Sequence, residues 1–313
     1  MNVFYPEGRL ITSEENSCVI SSPALMKQAG VHKTVLEARA AVCTPAHDLW
    51  LDIPFAKAVI PRTEGALGIA DGTARDISML SRVGKPVAFT VMSVDDSGET
   101  PVYTLSRADA QRRCMEGYIS QLRCGDVIPA TVTHLEPFGA FVDIGCGISS
   151  LIPIDSISVS RISHPNDRFY NGQQIFAAVK SRNGVRICLS HKELLGTWVE
   201  NAARFEVGST VRGTVRSVES YGVFIELAPN LAGLSEPREG LLPGMNVSVN
   251  IKAVKPEKMK VKLTVVDILE PSLPAPPYTY YIRSGHIDRW QYSPEGSSKS
   301  IFTDFTENSG TDG

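Results

Sequence analysis

Hydrophobic and polar positions alternate with a period of two along three stretches of this chain. The segment "GDVIPATVTHLEPFGAFVDIG" (Gly125 to Gly145) runs through a strand, a turn, an aromatic–Gly–small–aromatic step and a second strand. The segment "GSTVRGTVRSVESYGVFIELA" (Gly208 to Ala228) repeats that order. Each copy ends in a matching strand, "VRICLS" (Val185 to Ser190) and "MKVKLT" (Met259 to Thr264). Strict alternation marks strands with one buried face, and agreement at the start, middle and end of a repeat is more specific than any single motif. An earlier stretch, "LEARAAVCTPAHDLWLDI" (Leu36 to Ile53), fits the same frame. It is followed by "AVIP" (Ala58 to Pro61), which matches "SLIP" (Ser150 to Pro153), and by a closing "VYTLS" (Val102 to Ser106), but it lacks the aromatic–Gly step.

About five short strands per copy suit a small closed barrel of the OB type. The predicted fold is therefore all-β, with three tandem five-stranded OB-fold barrels joined by short helices. Residues 1–31 form an N-terminal extension, and the barrels occupy 32–106, 123–191 and 206–268. The joints at 107–122 and 192–205 have helical character. "SRADAQRRCMEGYISQL" lacks proline, and "HKELLGTWVENAARF" is interrupted at Gly196. Residues 269–313 begin with a Pro-rich extended linker, "EPSLPAPPY", and end in a Ser/Thr/Gly-rich tail expected to be disordered. Between the two, in "GHIDRWQYSPEG" (Gly285 to Gly296), Arg289, Trp290 and Tyr292 either stack on a ligand or pin the segment to a barrel.

Successive side chains on a strand point to opposite faces. Ala140, Val142 and Ile144 form an inward set, which leaves Phe141 and Asp143 facing water. Val223, Ile225 and Leu227 likewise oppose Phe224 and Glu226, and Leu49, Leu51 and Ile53 oppose Trp50 and Asp52. A ring thus recurs on the wet face of every copy, and His47, Phe138 or Tyr221 sits at the turn just before it. Flat rings outside an OB barrel offer a platform on which nucleobases stack. The bland alternative is that they pack beneath a loop or against the neighbouring domain.

The closing strands supply charge. Ile187 and Leu189 face inward and leave Arg186 and Cys188 outside; Val261 and Leu263 do the same for Lys260 and Lys262. Lys180 and Lys252 end the preceding strands at equivalent places, and Arg182 follows in the second copy. Such cations can meet phosphates beside the rings. The first copy has Val102 at the matching position, so His47 and Trp50 are its weaker candidates.

Charge tempers this reading. The net charge is −3, whereas a protein that holds nucleic acid mainly by neutralising phosphate is basic overall. Binding must then lean on local cations and on stacking, and be modest and salt-sensitive. Six cysteines form no CxxC pair and six histidines show no HxH or HExxH spacing, so neither a metal site nor a cofactor is expected. No phosphate-cradling Gly–Lys loop or GxSxG elbow occurs, and no enzyme is expected. "EGALGIADG" (Glu64 to Gly72) has no strand–loop–helix setting and is expected to link barrel strands. No apolar run approaches the roughly 20 residues of a membrane span and no signal-peptide pattern opens the chain. The expectation is a cytoplasmic monomer without a membrane partner.

The segment "GDVIPATVTHLEPFGAFVDIG…SSLIPI…LSHK" resembles the S1 RNA-binding domain, the repeat of small-subunit ribosomal protein S1. "VGSTVRGTVRSVESYGVFIEL…AGLSE" resembles it as well, and the likeness extends over residues 32 to 268. The whole is similar to a short three-repeat bacterial member of that family. The resemblance implies binding of single-stranded RNA, messenger RNA above all, with the small ribosomal subunit as a partner in translation. Of the family's binding set, Phe138 and Phe141, Tyr221 and Phe224 match the two aromatics, Arg186 matches the arginine, and Lys260 replaces it. The His position holds Pro153 or Glu236; the Asp position falls near Ser181 or Arg182 and at Pro256. The second function in view is a protein-interaction or ribosome-docking module with little direct RNA contact.

Overall fold

The computed structural model describes residues 4–184, 186–270 and 278–306. Val185, at the start of the expected second closing strand, residues 271–277 of the expected linker and residues 307–313 of the expected tail lie outside the described residues. The chain divides into two compact units, Met1–Leu122 with Pro129–Thr131 and Val142–Ser150, and Arg123–Ile128 with Val132–Phe141 and Leu151–Gly313.

Two helices, α1 (Glu14–Ile20) and α2 (Pro23–His32), precede the first barrel. Ser13 and Ser22 cap them by accepting backbone N–H groups from the first turn, and Pro23 begins α2 where no N–H is needed. The barrel follows as β1 (Leu36–Cys43), β2 (Leu49–Leu51), β3 (Lys57–Ile60), β4 (Pro86–Asp95) and β5 (Val102–Ser106), with the one-turn α3 (Ile77–Leu80) between β3 and β4. The stretch Glu64 to Gly72 lies in that connection, as expected of a link between barrel strands. Helix α4 (Arg107–Gly117) starts on Ser106, whose hydroxyl accepts the Asp109 N–H at 2.8 Å.

The second barrel comprises β6 (Val127–Glu136), β7 (Gly139–Asp143), β8 (Ser149–Pro153), β9 (Gln174–Asn183) and β10 (Arg186–Ser190). A 3-10 turn, Lys192–Leu195, and α5 (Trp198–Ala202) form the next joint. Gly196, at φ +81°, breaks the two apart, and Thr197 and Glu200 form a capping box that starts α5. The third barrel is β11 (Thr210–Glu219), β12 (Gly222–Ala228), β13 (Leu231–Ser235), β14 (Asn246–Lys255) and β15 (Lys260–Leu269).

The first and third barrels close in the order first–second–third–fifth–fourth strand, and the second has the same neighbours. In each, the third and fifth strands run parallel, and the fourth and fifth antiparallel. The fourth strand carries a β-bulge at one equivalent place, leaving Met92, Lys180 or Lys252 unpaired against the fifth strand. Lys180 and Lys252 therefore sit inside β9 and β14, at bulges, and do not end those strands as the pattern suggested. A bulge places an extra residue in the strand, which alternation alone cannot reveal.

The inward sets are buried as expected: Leu49, Leu51 and Ile53, then Ala140, Val142 and Ile144, then Val223 and Ile225. Two carboxylates depart from the pattern. Asp143 is 3% exposed, and its carboxylate accepts N–H groups from Glu7, Gly145 and Gly147 at 2.7, 2.8 and 3.0 Å. Glu226 is buried too, gripped in a fork by Arg216 at 2.9 and 3.0 Å and met by Arg168. Leu227 is only half-buried, because the β12–β13 register shifts between Glu226 and Ala228.

In the first unit, Glu7 accepts from the Nε of buried Arg107 at 2.7 Å, from Arg82 at 2.8 Å and from the Ala88 N–H at 3.1 Å. Burial pushes its carboxyl up, but the two guanidiniums and the amide outweigh that and hold it below the usual carboxylate range. One oxygen of buried Glu37 accepts the N–H groups of Gly8 and Ile11 at 3.0 and 2.9 Å.

In the second unit, the C-terminal segment is part of the core. β16 (Arg289–Gln291) pairs with β17 (Phe302–Asp304), so part of the end expected to be disordered, Phe302–Asp304, is instead a strand. Trp290 and Tyr292 are buried, and the Tyr292 hydroxyl donates to the Asn230 carbonyl. Of the two roles considered for this pair, pinning is the one observed. Arg289 lies over the Phe302 ring at 5.1 Å. His191, wholly buried, bonds Tyr280 and the Ile157 carbonyl, and burial lowers its pKa to about 4, leaving a neutral ring.

Candidate nucleic-acid interface

The aromatic–Gly step has a steric cause. A Cβ on Gly139 would stand 2.5 Å from the Ile152 carbonyl oxygen, and one on Gly222 would stand 2.5 Å from that of Ser235. Only glycine lets the second strand come this close to the third, and the flanking rings are carried onto the outer face together. Phe138 and Phe141 meet edge to face, centroids 6.0 Å apart and planes at 88°. Tyr221 and Phe224 repeat the arrangement at 6.2 Å and 88°. Phe138 is 55% exposed and Tyr221 65%, while Phe141 and Phe224 are half-buried.

Strand register then sets what lies beside the rings. Phe224 pairs with Leu234, and Leu234 with Lys262, so one outward row crosses β12, β13 and β15. Leu234 is 36% exposed, an apolar bridge between ring and cation. In the second barrel Leu151 pairs with Cys188, and the glycine contact places Phe141 beside Leu151 by the same offset. In the first barrel the row is Trp50, Val59 and Thr104. Arg186, Val102 and Lys260 stand two residues earlier on their closing strands, in agreement with the repeat.

The cations differ in availability. Arg186, Lys252, Lys260 and Lys262 are exposed and form no ion pair among the described residues. Lys180 is half-buried and donates to the Ser156 hydroxyl at 2.8 Å, and the Arg182 Nε donates to the Gly184 carbonyl at 2.9 Å. These two are tethered beside the row. Alternation did not single out Lys255, which pairs directly with Lys260 across the β14–β15 hairpin, or Lys258 in its turn.

The first barrel does not bring its candidates together as a ring pair. His47 takes a left-handed backbone, φ +65°, and its Nδ1 lies 3.4 Å from Asp76, just before α3. Asp76 also accepts two hydrogen bonds from Arg62, at 2.8 and 3.0 Å, and these hold its carboxyl below the usual range. A carboxylate thus occupies the neighbourhood where the other barrels present a second ring.

The sequence pattern passed over His134 as well. Its ring lies 6.5 Å from that of Phe141, planes at 26°, and its Nε2 is 2.8 Å from Glu136. The available signal was its alignment with Ser217, which pairs with Phe224. No group of three or more His, Cys, Asp or Glu is placed to hold a metal ion among the described residues.

Residues 121–191 match the S1 RNA binding domain, so the second barrel is a barrel of that class. The chain is also similar to small ribosomal subunit protein bS1 of Leuconostoc lactis, 30% identical over 198 residues, covering 58% of this chain and 46% of that protein. The Bacillus subtilis bS1 homolog is 32% identical over 166 residues, covering 49% of this chain and 43% of its own. The chain thus spans less than half the length of these curated relatives. A Streptococcus pneumoniae multidomain protein with nucleic acid binding domains aligns at 12% identity and a TM-score of 0.26, covering 75% of this chain and 73% of that one. That likeness is too slight to bear on the fold, which rests on the strand pairing itself.

Proposed function

We propose that this protein binds single-stranded RNA, messenger RNA in particular, on the outer faces of its second and third barrels. Bases stack on Phe138 and Phe141 and on Tyr221 and Phe224, while Arg186, Lys252, Lys260 and Lys262 meet phosphates. Lys180 and Arg182 line the same side of the second barrel. The observation that carries the reading is the repeated edge-to-face ring pair at 6.0 and 6.2 Å. The same outward geometry in two barrels serves no common core, and stacking on such rings tolerates any base.

The work is binding, not catalysis, and the partner we infer is the small ribosomal subunit with its message, in the cytoplasm, by a monomer. The S1 domain match and the bS1 relatives support that direction. Among the described residues no helix is long and apolar enough to cross a membrane. The domains we assign are 32–106, 123–191 and 206–268, with joints at 107–122 and 192–205; limited proteolysis cutting first inside a barrel would contradict those limits.

A second role belongs to the first barrel. Asp76 holds His47, and Val102 and Thr104 stand where the third barrel has lysines. These features fit docking to protein better than a grip on RNA.

The test is a salt-titrated binding assay of the full chain against unstructured single-stranded and double-stranded RNA of equal length. Preference for the single strand, abolished by F138A/F141A with Y221A/F224A, is expected. Equal affinity for both forms, or none for either, overturns the proposal.

A further inference from the structure

We propose that His134 is a third ring of the second barrel's stacking surface, making that barrel the stronger of the two RNA sites; this rests on the RNA-binding reading above. His134 lies on β6, next to β7, which carries Phe141. The two rings are close to parallel, at 26°, with centroids 6.5 Å apart. Phe138 stands across Phe141 at 88°. The second barrel therefore presents two nearly parallel faces and one upright edge, where the third barrel presents one face and one edge.

Nothing in the core explains His134. Its side chain is 60% exposed, and its polar partner is Glu136, 2.8 Å from Nε2. With that bond in place the imidazole plane lies 26° from that of Phe141. The matching position is Ser217 in the third barrel and Val42 in the first, facing Phe224 and Trp50. Neither offers a π face. An aromatic ring added to a stacking surface strengthens binding for any base, so the expected consequence is affinity without sequence preference.

The experiment uses the full chain carrying Y221A and F224A, so that the second barrel is read alone, and an unstructured RNA oligonucleotide containing 2-aminopurine, whose fluorescence falls on stacking. Replacing His134 by Ala should weaken binding roughly five- to a hundredfold, the range of one stacked base, and reduce the quenching. His134→Phe, which keeps a ring and gives up the Glu136 bond, should stay near the parent; His134→Gln, which keeps a polar group and gives up the ring, should behave as Ala. Introducing S217H into the otherwise wild-type chain should tighten binding. Unchanged affinity and quenching in H134A, or H134F as weak as H134A, overturns the inference while leaving the function standing. If the unmodified chain fails to bind the oligonucleotide, the function itself falls, and the two failures are told apart.

Discussion

Lys255 and Lys260 stand directly opposite each other across the β14–β15 hairpin, exposed and without an ion-pair partner among the described residues. Like charges so placed repel, and the folded state tolerates them at a cost that an anion would relieve. Lys252, Lys258 and Lys262 belong to the same hairpin. Replacing Lys255 and Lys260 together by Ala should flatten the plot of log affinity against log salt by about 0.7 for each phosphate no longer neutralised, with no fall in melting temperature. A slope identical to wild type removes the pair from the RNA path.

The aromatic–Gly step makes a stability prediction independent of any ligand. In Gly139→Ala and Gly222→Ala the new methyl meets a backbone carbonyl at 2.5 Å, which no side-chain movement relieves. Each substitution should cost roughly 1–3 kcal/mol, the usual toll of overpacking, read as a lower urea midpoint. A midpoint that stays in place would mean that the two strands do not approach this closely.

The first unit should lose stability as pH rises. Burial pushes Glu37 up to about 7 and raises Asp143 as well, the charge of Glu7 adding to both, whereas in the unfolded chain such carboxyls titrate near 4. Between those values the folded state binds more protons than the unfolded one. Stability is therefore greatest near the lower limit and falls as pH rises through about 7. One oxygen of Glu37 accepts both the Gly8 and Ile11 N–H groups while the other has no hydrogen-bond partner among the described residues. Glu37→Gln keeps the accepting oxygen and should flatten the decline in melting temperature between pH 5 and 8; an unaltered profile would exclude Glu37 as its source.

Glu7 is expected to be the least replaceable residue outside the barrels. Glu7→Gln leaves Arg107, 2% exposed, without its counter-charge. Removing one partner of a buried pair costs about 3–5 kcal/mol, and denaturant unfolding should report a decrease of that size. A change below about 1 kcal/mol would mean that Arg107 finds other compensation.

Much of the fold is legible in the chain because its signals are local. Alternation set Leu49, Val142 and Ile225 inward, Gly196 broke the second joint, and the aromatic–Gly step placed Phe138 and Tyr221 outside. Each depends on strand pleat or backbone freedom within a few residues. His134 was less visible, since its meaning comes from the strand beside it. Lys180 and Lys252 were located but misplaced on their strands, because a bulge leaves no trace in periodicity.

The amino-acid order by itself determined three closed barrels and the rings on their outer faces, since a period of two and a repeated glycine act through covalent geometry and near neighbours. Only the tertiary structure decided which polar groups those faces keep. Asp143 sits on the same strand face as Phe141, yet it is buried by the backbone N–H of Glu7, 136 residues away in the chain. Asp76 claims His47, and Arg168 and Arg216 claim Glu226. The reason is physical: electrostatic and hydrogen-bond partners are chosen by distance in space, which the linear pattern of hydrophobic and polar positions does not carry.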